Sequence, residues 1–349
     1  TRERPTMKIC LVNPRLRDAV FRAIPHGLLS ICACLKRAGH ECEIRDYNMD
    51  QYRGQGFEGF DAVGFSVFTS QLPHAVELAR LVPRSVKVIW GGIHCLLDPL
   101  SILQKFPEHW VISGEGELPL LALLEHFSGN GRDPDQAPGL CYVKQGEPRI
   151  SPPYFLDNLD EVADVNYFDL PMLEKYIPVY SYSFGRKLRT LKVITGRGCP
   201  WNCTFCINSI FHLHHARHRV KSFDKIRREA EPVVRDFEIE DCSPRDDDFF
   251  SNRLLVDKWS QWAGERNLLW SATARFNYIR EGQVDVPRLR ELSESGLYLL
   301  GMAVEAADEE LRNRILNKKI MDRDIRRAVE IIRDSGTGIA VNTSFVVYF

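Results

Sequence analysis

The sequence predicts two α/β domains in series: a doubly wound, Rossmann-like sheet, then a partial (β/α)6 TIM-like barrel. Three features predict them. Short apolar runs alternate with helix-period segments over the first 145 residues, a proline-punctuated stretch interrupts the alternation, and a second alternating series runs to the end. The expected limits are 7–145, an interdomain linker at 146–187, and 188–349. A chain of 349 residues suits two domains at roughly 150 residues each.

In the first series, strand signals fall at 8–12, 41–46, 62–68, 86–90 and 110–113. Their Val, Ile and Phe residues run consecutively, as in parallel strands covered on both faces. Helix-period segments lie between them at 28–38, 71–81, 99–105 and 118–127, and 139–143 adds an edge strand. Ligands of such sheets bind beyond the carboxyl ends of the strands. The loops there are Ser66-Val67-Phe68-Thr69, Gly91-Gly92-Ile93-His94 and Gly114-Glu115-Gly116-Glu117. Glycine lets a backbone approach a large flat ligand, although each loop alone reads equally as a tight turn. The first strand is followed by Asn13-Pro14-Arg15 rather than G-x-G-x-x-G, which argues against a nicotinamide or flavin site.

Pro148, Pro152, Pro153, Pro171 and Pro178 mark the linker. The second series places strands at 191–195, 237–240, 269–273, 297–305 and 339–346. Helices are expected at 224–236, 252–266, 286–295, 308–315 and 322–334. Five such units fall short of a full barrel of roughly 250 residues. Residues 1–6 read as upstream sequence, and the last domain reads as incomplete at Phe349.

Composition narrows the function classes. Hydrophobic residues make up 44% and charged residues 27%, with a formal net charge of −1. A nucleic-acid binder would show a basic excess, so nucleic acid is an unfavoured partner. No apolar run approaches the roughly 20 residues of a membrane span, and no secretory h-region opens the chain. A cytoplasmic setting is therefore expected, where ten cysteines serve metals, catalysis or the core rather than disulfides. Cys10, Cys32, Cys34, Cys42, Cys95 and Cys141 lie in or beside apolar stretches and read as core.

Cys199, Cys203 and Cys206 read differently. Gly196-Arg197-Gly198-Cys199-Pro200-Trp201-Asn202-Cys203-Thr204-Phe205-Cys206 begins at the end of a strand, and its glycines permit a compact loop. A [4Fe–4S] cluster normally takes four protein ligands. Three leave one iron open, and an open position binds a reactant. The amino and carboxylate groups of S-adenosylmethionine are suitable chelators. Structural zinc is the competing use, with Cys242, His212, His214, His215 or His218 as fourth ligand. The four histidines, set among Arg217, Arg219 and Lys221, otherwise read as a solvated basic loop.

This C-x3-C-x2-C spacing, with an aromatic before the last cysteine, resembles the radical S-adenosylmethionine (SAM) superfamily. The resemblance implies that Phe205, Asp247, Asp248, Arg275 and Glu305 lie around S-adenosylmethionine. Asp247 and Asp248 would lie toward its ammonium, Arg275 toward its carboxylate and Glu305 toward its ribose. Pro25-His26-Gly27-Leu28-Leu29, Val63-Gly64-Phe65-Ser66, Trp90-Gly91-Gly92-Ile93-His94 and Gly114-Glu115-Gly116-Glu117 resemble the domain preceding the cluster motif in the B12-dependent subfamily. That likeness implies a cobalamin site at Ser66, Phe68, Thr69, Gly91, Gly92, His94, Gly114, Glu115 and Gly116. An Asp-x-His-x-x-Gly motif is absent, so cobalt is expected to lack that axial histidine, with His26 and His94 as the conceivable substitutes. Radical SAM relatives continue the fifth strand into a glycine-proline turn and a sixth strand, whereas this sequence ends at Phe349.

The implied activity is cleavage of S-adenosylmethionine to a 5′-deoxyadenosyl radical. Cobalamin-dependent methylation, cyclisation or rearrangement of a carbon in a small molecule follows, with flavodoxin or ferredoxin as electron donor. No residue identifies the substrate or a catalytic acid or base. Two alternatives remain at this point: a radical SAM enzyme that binds no cobalamin and acts on RNA or a peptide, and a zinc-stabilised binding module.

Overall fold

The computed structural model describes residues 6–16, 23–49, 52, 54–129, 131, 133–216 and 218–346. Residues 1–5, Arg217 and Val347 to Phe349, which carry parts of the expectations above, lie outside the described residues. The chain forms two compact units, Thr1–Leu156 with Glu161–Leu173, and Asp157–Asp160 with Glu174–Phe349.

The first unit is built on strands β1 (Lys8–Asn13), β2 (Glu41–Asp46), β3 (Ala62–Ser66), β4 (Lys87–Gly91), β5 (Trp110–Ile112), β6 (Leu140–Lys144) and β7 (Glu147–Ile150). Its helices are α1 (His26–Arg37), α2 (Leu72–Ala79), α3 (Ile93–Leu97), α4 (Pro99–Lys105) and α5 (Glu117–Phe127). The strands lie in the order β2-β1-β3-β4-β5-β6-β7. The first five run parallel, and β6 and β7 are antiparallel. The order reverses direction at β1/β3, the switch point at which open α/β sheets bind ligands. Cys10, Val63, Phe65, Trp90 and Val111 are all but fully buried. The Trp90 ring stacks between Phe65 at 5.0 Å and Phe106 at 5.6 Å.

The β6–β7 hairpin turns on Gln145 and Gly146, both at positive φ. Two such residues make the turn whose twist matches a hairpin. β7 is exposed throughout, so it carries no apolar signal in the sequence. The unit also extends beyond residue 145 into the stretch read as linker. Val162, Val165, Tyr167, Leu170 and Leu173 are buried, Tyr167 meets His26 edge-on at 5.8 Å, and Asp169 pairs with Lys36 of α1 at 2.9 Å.

The second unit comprises β8 (Pro178–Ser181), β9 (Arg186–Val193), β10 (Gly196–Arg197), β11 (Arg219–Val220), β12 (Asp241–Pro244), β13 (Trp270–Thr273), β14 (Leu297–Gly301) and β15 (Ala340–Asn342). Helices α6 (Asn208–Leu213), α7 (Phe223–Asp236), α8 (Arg253–Glu265), α9 (Val286–Glu294) and α10 (Asp322–Ser335) connect them. β9, β12, β13, β14 and β15 run parallel in that order, with a single bridge, Asp241 to Leu269, joining the β12 and β13 sheets. β8 closes one edge as an antiparallel hairpin.

Three expectations need correction. The strand placed at 237–240 begins instead at Asp241, because Phe237 caps α7 and Glu238 takes a left-handed conformation. The first strand starts at Arg186 rather than 191, its charged residues alternating with buried Leu188 and Thr190. Segment 308–315 is not an α-helix but a π-helical turn at Leu311–Ile315.

Candidate functional site

The functional side chains of the second unit gather where its strands end. Beyond β9 the chain makes the short β10–β11 pair and enters the cysteine loop. Gly196 has to be glycine there: a β-carbon would stand 2.8 Å from the Arg219 carbonyl and 3.2 Å from Asp246 Oδ2. Gly198 sits at φ +81°, a conformation open to glycine. His212 of α6 braces the loop through Nε2, 2.9 Å from the Cys199 carbonyl and 3.1 Å from that of Trp201. On its other side, Thr204 N donates to the Leu316 carbonyl at 3.1 Å and Asn317 Nδ2 to the Asn202 carbonyl at 2.6 Å.

Cys199, Cys203 and Cys206 are free thiols, Cys203 buried and the other two half-buried. Burial is the main cause that pushes Cys199 up to about 12. The donor set fits a three-thiolate cluster better than zinc. His212 is committed to carbonyls, and Cys242 is fully buried on the other face of β12 beside α7, so neither offers a fourth ligand. Among the described residues no three His, Cys, Asp or Glu side chains are grouped to hold a single metal ion. A four-iron cluster makes no such demand, since each thiolate binds its own iron.

The residues implied for S-adenosylmethionine surround this loop. Tyr278 donates to Asp248 Oδ2 at 2.7 Å and accepts from Trp201 Nε1 at 2.7 Å. Arg275 lies with its guanidinium carbon 3.9 Å from the Trp201 ring centre and donates to the Lys318 carbonyl. Lys318 Nζ in turn pairs with Glu305 at 2.9 Å. Asp247 accepts from Asn208 Nδ2, which also reaches Cys206 Sγ at 3.5 Å. Phe205 is 43% exposed.

Three buried polar atoms in this group lack a partner among the described residues: Asp248 Oδ1, Asn208 Oδ1 and Arg275 Nε. Buried polar atoms are rarely left so, and a zwitterionic ligand would satisfy acceptors and donor alike. Burial raises Asp248 to about 6, against the Tyr278 hydrogen bond and the Arg275 charge. Burial likewise raises Asp246 to about 6, although Thr195 and the Gly196 amide hydrogen-bond to it. Sequence reasoning missed Trp201, Asn208, Tyr278 and Lys318 as members. Their signal is tertiary: Trp201 and Tyr278 meet 77 residues apart, Tyr278 reaches Asp248 30 residues away, Asn208 reaches Asp247 39 residues away, and Lys318 meets Glu305 and Arg275 across 13 and 43 residues.

In the first unit, two of the three strand-end loops come together. Val67 N donates to the Gly91 carbonyl at 2.9 Å and His94 N to the Val67 carbonyl at 2.9 Å. His94 is buried with both ring nitrogens engaged, Nδ1 with Thr69 at 3.2 Å and Nε2 with Ser101 at 3.3 Å, so it packs rather than ligates. Gly92, at φ +90°, would place a β-carbon 2.6 Å from Val67 N. Phe68 is left 57% exposed beside this junction, and a β-carbon on Gly91 would meet nothing nearer than 4.0 Å. An exposed aromatic ring next to a glycine-lined junction suits a flat corrin.

The third loop faces other partners. A β-carbon on Gly114 would overlap the backbone of Tyr154, and Glu115 accepts from Leu156 N at 2.8 Å. Gly116 packs near Ile31. This loop anchors residues 154–156, so its glycines are explained without a ligand.

Comparison with known proteins identifies both halves of the chain. The B12 binding domain family matches residues 14–124, and the Radical SAM superfamily matches residues 193–349. The chain therefore carries a B12 binding domain followed by a Radical SAM domain. It is 28% identical over 86% of its length to an uncharacterized methyltransferase of Pyrococcus horikoshii. It is also 25% identical over 97% to a cytidylyl-2-hydroxyethylphosphonate methyltransferase of Streptomyces wedmorensis, and 26% identical over 96% to a hopanoid C-3 methylase of Methylococcus capsulatus. The chain spans 66%, 72% and 64% of the lengths of these three.

Among solved structures, the cobalamin-dependent radical SAM enzyme OxsB covers 98% of the chain at a TM-score of 0.78 and 18% identity. The radical SAM methyltransferase TsrM of Kitasatospora setae covers 97% at 0.69 and 17%. This chain spans 50% and 66% of those chains. They show the fold of a B12-binding radical SAM enzyme in both units. Among the described residues no helix is long and apolar enough to cross a membrane.

Proposed function

We propose that this enzyme cleaves S-adenosylmethionine reductively and methylates an unactivated carbon of a small molecule with the help of cobalamin, or cyclises or rearranges it. When bound, the cluster supplies the electron that breaks a carbon–sulfur bond of S-adenosylmethionine, and cobalamin supplies methyl-transfer chemistry. The chain's own residues bind, orient and exclude water. Cys199, Cys203 and Cys206 would hold the cluster, and three protein ligands to four irons would leave a position for the nucleoside's amino acid end. Asp248 Oδ1 and Asn208 Oδ1 are acceptors for the ammonium, and Arg275 Nε is a donor for the carboxylate. Glu305 stands on the ribose side with Lys318 holding one of its oxygens. Trp201 and Tyr278 fix Asp248 and Arg275 in place.

In the first unit Phe68, Thr69, Gly91 and Gly92 form the surface offered to the corrin. His94, held by Thr69 and Ser101, leaves cobalt without a histidine from this loop. An external flavodoxin or ferredoxin would deliver the electron. The observation that carries the reading is the set of three unpartnered buried atoms grouped beside three free thiols. Anaerobic incubation of the full chain with hydroxocobalamin, followed by desalting, tests the cobalamin half. Retention of about one corrinoid per chain is expected from a single domain site. A protein that emerges colourless in the corrinoid bands overturns it.

A further inference from the structure

The parallel strands of the second unit carry an unusual concave face. Helices cover one side of the sheet, where Leu191, Cys242 and Trp270 are fully buried. The interior positions of a closed (β/α) barrel are normally filled by bulky branched side chains. Here the opposite face of β9, β12, β13 and β14 presents Thr190, Lys192, Asp241, Ser243, Ser271 and Tyr298. These side chains form one hydrogen-bonded cluster. Asp241 accepts from Ser243, from Tyr298 at 3.1 Å and from Thr190 at 3.3 Å. Ser271 Oγ meets Ser243 Oγ at 3.1 Å. Lys192 Nζ reaches Asp241 and Ser271 only at 3.4 Å each. The β8–β9 hairpin closes the cluster from below, with Phe184 against the Tyr298 ring at 5.1 Å.

A polar cluster that served only to stabilise the fold would satisfy all its members. This one does so for the carboxylate and not for the ammonium. Three hydroxyls hold Asp241, whose side chain is 3% exposed, while Lys192 is 29% exposed and has three donors for two long contacts. Hydrogen bonds from a lysine normally fall well inside that distance. The group left available in the lumen is therefore a cation, flanked by hydroxyls. We propose that this face binds an oxyanion group of the substrate, a carboxylate or phosphoryl group, with Lys192 as its anchor and Ser271 as a supporting donor. The proposal rests on the reading of the chain as a radical SAM enzyme acting on a small molecule. It adds the substrate's chemical class and the end of the lumen that holds it. Asp241 and Tyr298 act as positioning residues, Asp241 pairing with the Lys192 ammonium at 3.4 Å and Tyr298 holding Asp241.

The test uses the full chain with its cluster reconstituted, under anaerobic conditions and at matched ionic strength. An amine-reactive reagent labels lysines, and the rates at Lys192 and at Lys187, exposed on the same strand, are read by peptide mass spectrometry. Inorganic phosphate or acetate is the probe, with glycerol as the neutral control. At four times its dissociation constant, a probe bound to the ammonium slows labelling of Lys192 about fivefold and leaves Lys187 unchanged. Protection by phosphate alone assigns a phosphoryl group, by acetate alone a carboxylate, and by both the shared oxyanion chemistry. Equal labelling of Lys192 with phosphate, acetate and glycerol overturns the proposal. Formation of 5′-deoxyadenosine from S-adenosylmethionine is measured on the same sample. Its absence overturns the functional reading instead, because lysine protection does not depend on it.

Discussion

Asn208 illustrates how much of this site rests on single atoms. Its Nδ2 reaches both Cys206 Sγ and Asp247, and its Oδ1 is one of the unpartnered acceptors. Hydrogen bonds to cluster sulfurs raise reduction potentials by drawing charge from sulfur. Asn208→Ala is therefore expected to keep its iron and lower the cluster's midpoint potential. An unchanged potential in an anaerobic redox titration would refute this role. Asp246 makes a second prediction, about pH. Its folded value of about 6 lies above its unbound 3.8, so its stabilising contribution is complete below about 3.8 and is lost as pH rises through 6. The difference corresponds to about 3 kcal/mol. Asp248 has the same sign. Asp246→Asn should remove roughly half of the fall in unfolding free energy between pH 4 and 6, measured by denaturant titration; an undiminished slope contradicts it.

Among the strands and loops, legibility in the sequence follows burial and spacing. The three cysteines are readable from their spacing after a strand, whereas the aspartates after β12, Arg275 and Glu305 are singled out only by resemblance to the radical SAM superfamily. Asn208, Tyr278 and Lys318 are not, since only the fold brings them to Asp247, Asp248 and Glu305. The apolar first sheet is legible to within a few residues; β12 is displaced because its lumen face is Asp and Ser, which carry no strand signal. β7 is invisible for the related reason that nothing covers it. The glycines stand out, but the sequence sorts them only partly. Gly92 carries the stronger constraint, with φ +90° and ψ −175°, a region essentially reserved for glycine. Gly92→Ala should cost about 2–3 kcal/mol and lower the melting temperature of the cobalamin-free chain by roughly 5–10 °C. Gly91→Ala, where the added carbon meets only the Ile112 and Phe65 carbonyls at 4.0 Å, should melt as the parent does and yet weaken corrinoid retention. Equal melting of the two variants would refute the distinction.

At the scale of the molecule, the two chemistries are divided between the units. Every residue assigned to the cluster and to S-adenosylmethionine lies between Cys199 and Glu305, within Glu174–Phe349. Phe68, Thr69, Gly91 and Gly92, the residues proposed to face the corrin, lie within Thr1–Leu156. Cleavage of S-adenosylmethionine in the absence of substrate should therefore proceed without cobalamin, and a strict requirement for corrinoid would show that this division is wrong. Both chemistries depend on three thiolates of one loop leaving an iron free for S-adenosylmethionine. The most direct measurement is 5′-deoxyadenosine formed anaerobically by the iron- and sulfide-reconstituted chain with dithionite. The parent should hold about four irons and form the nucleoside, and Cys203→Ala should form none. Nucleoside formation by Cys203→Ala at the parent's rate would contradict the account.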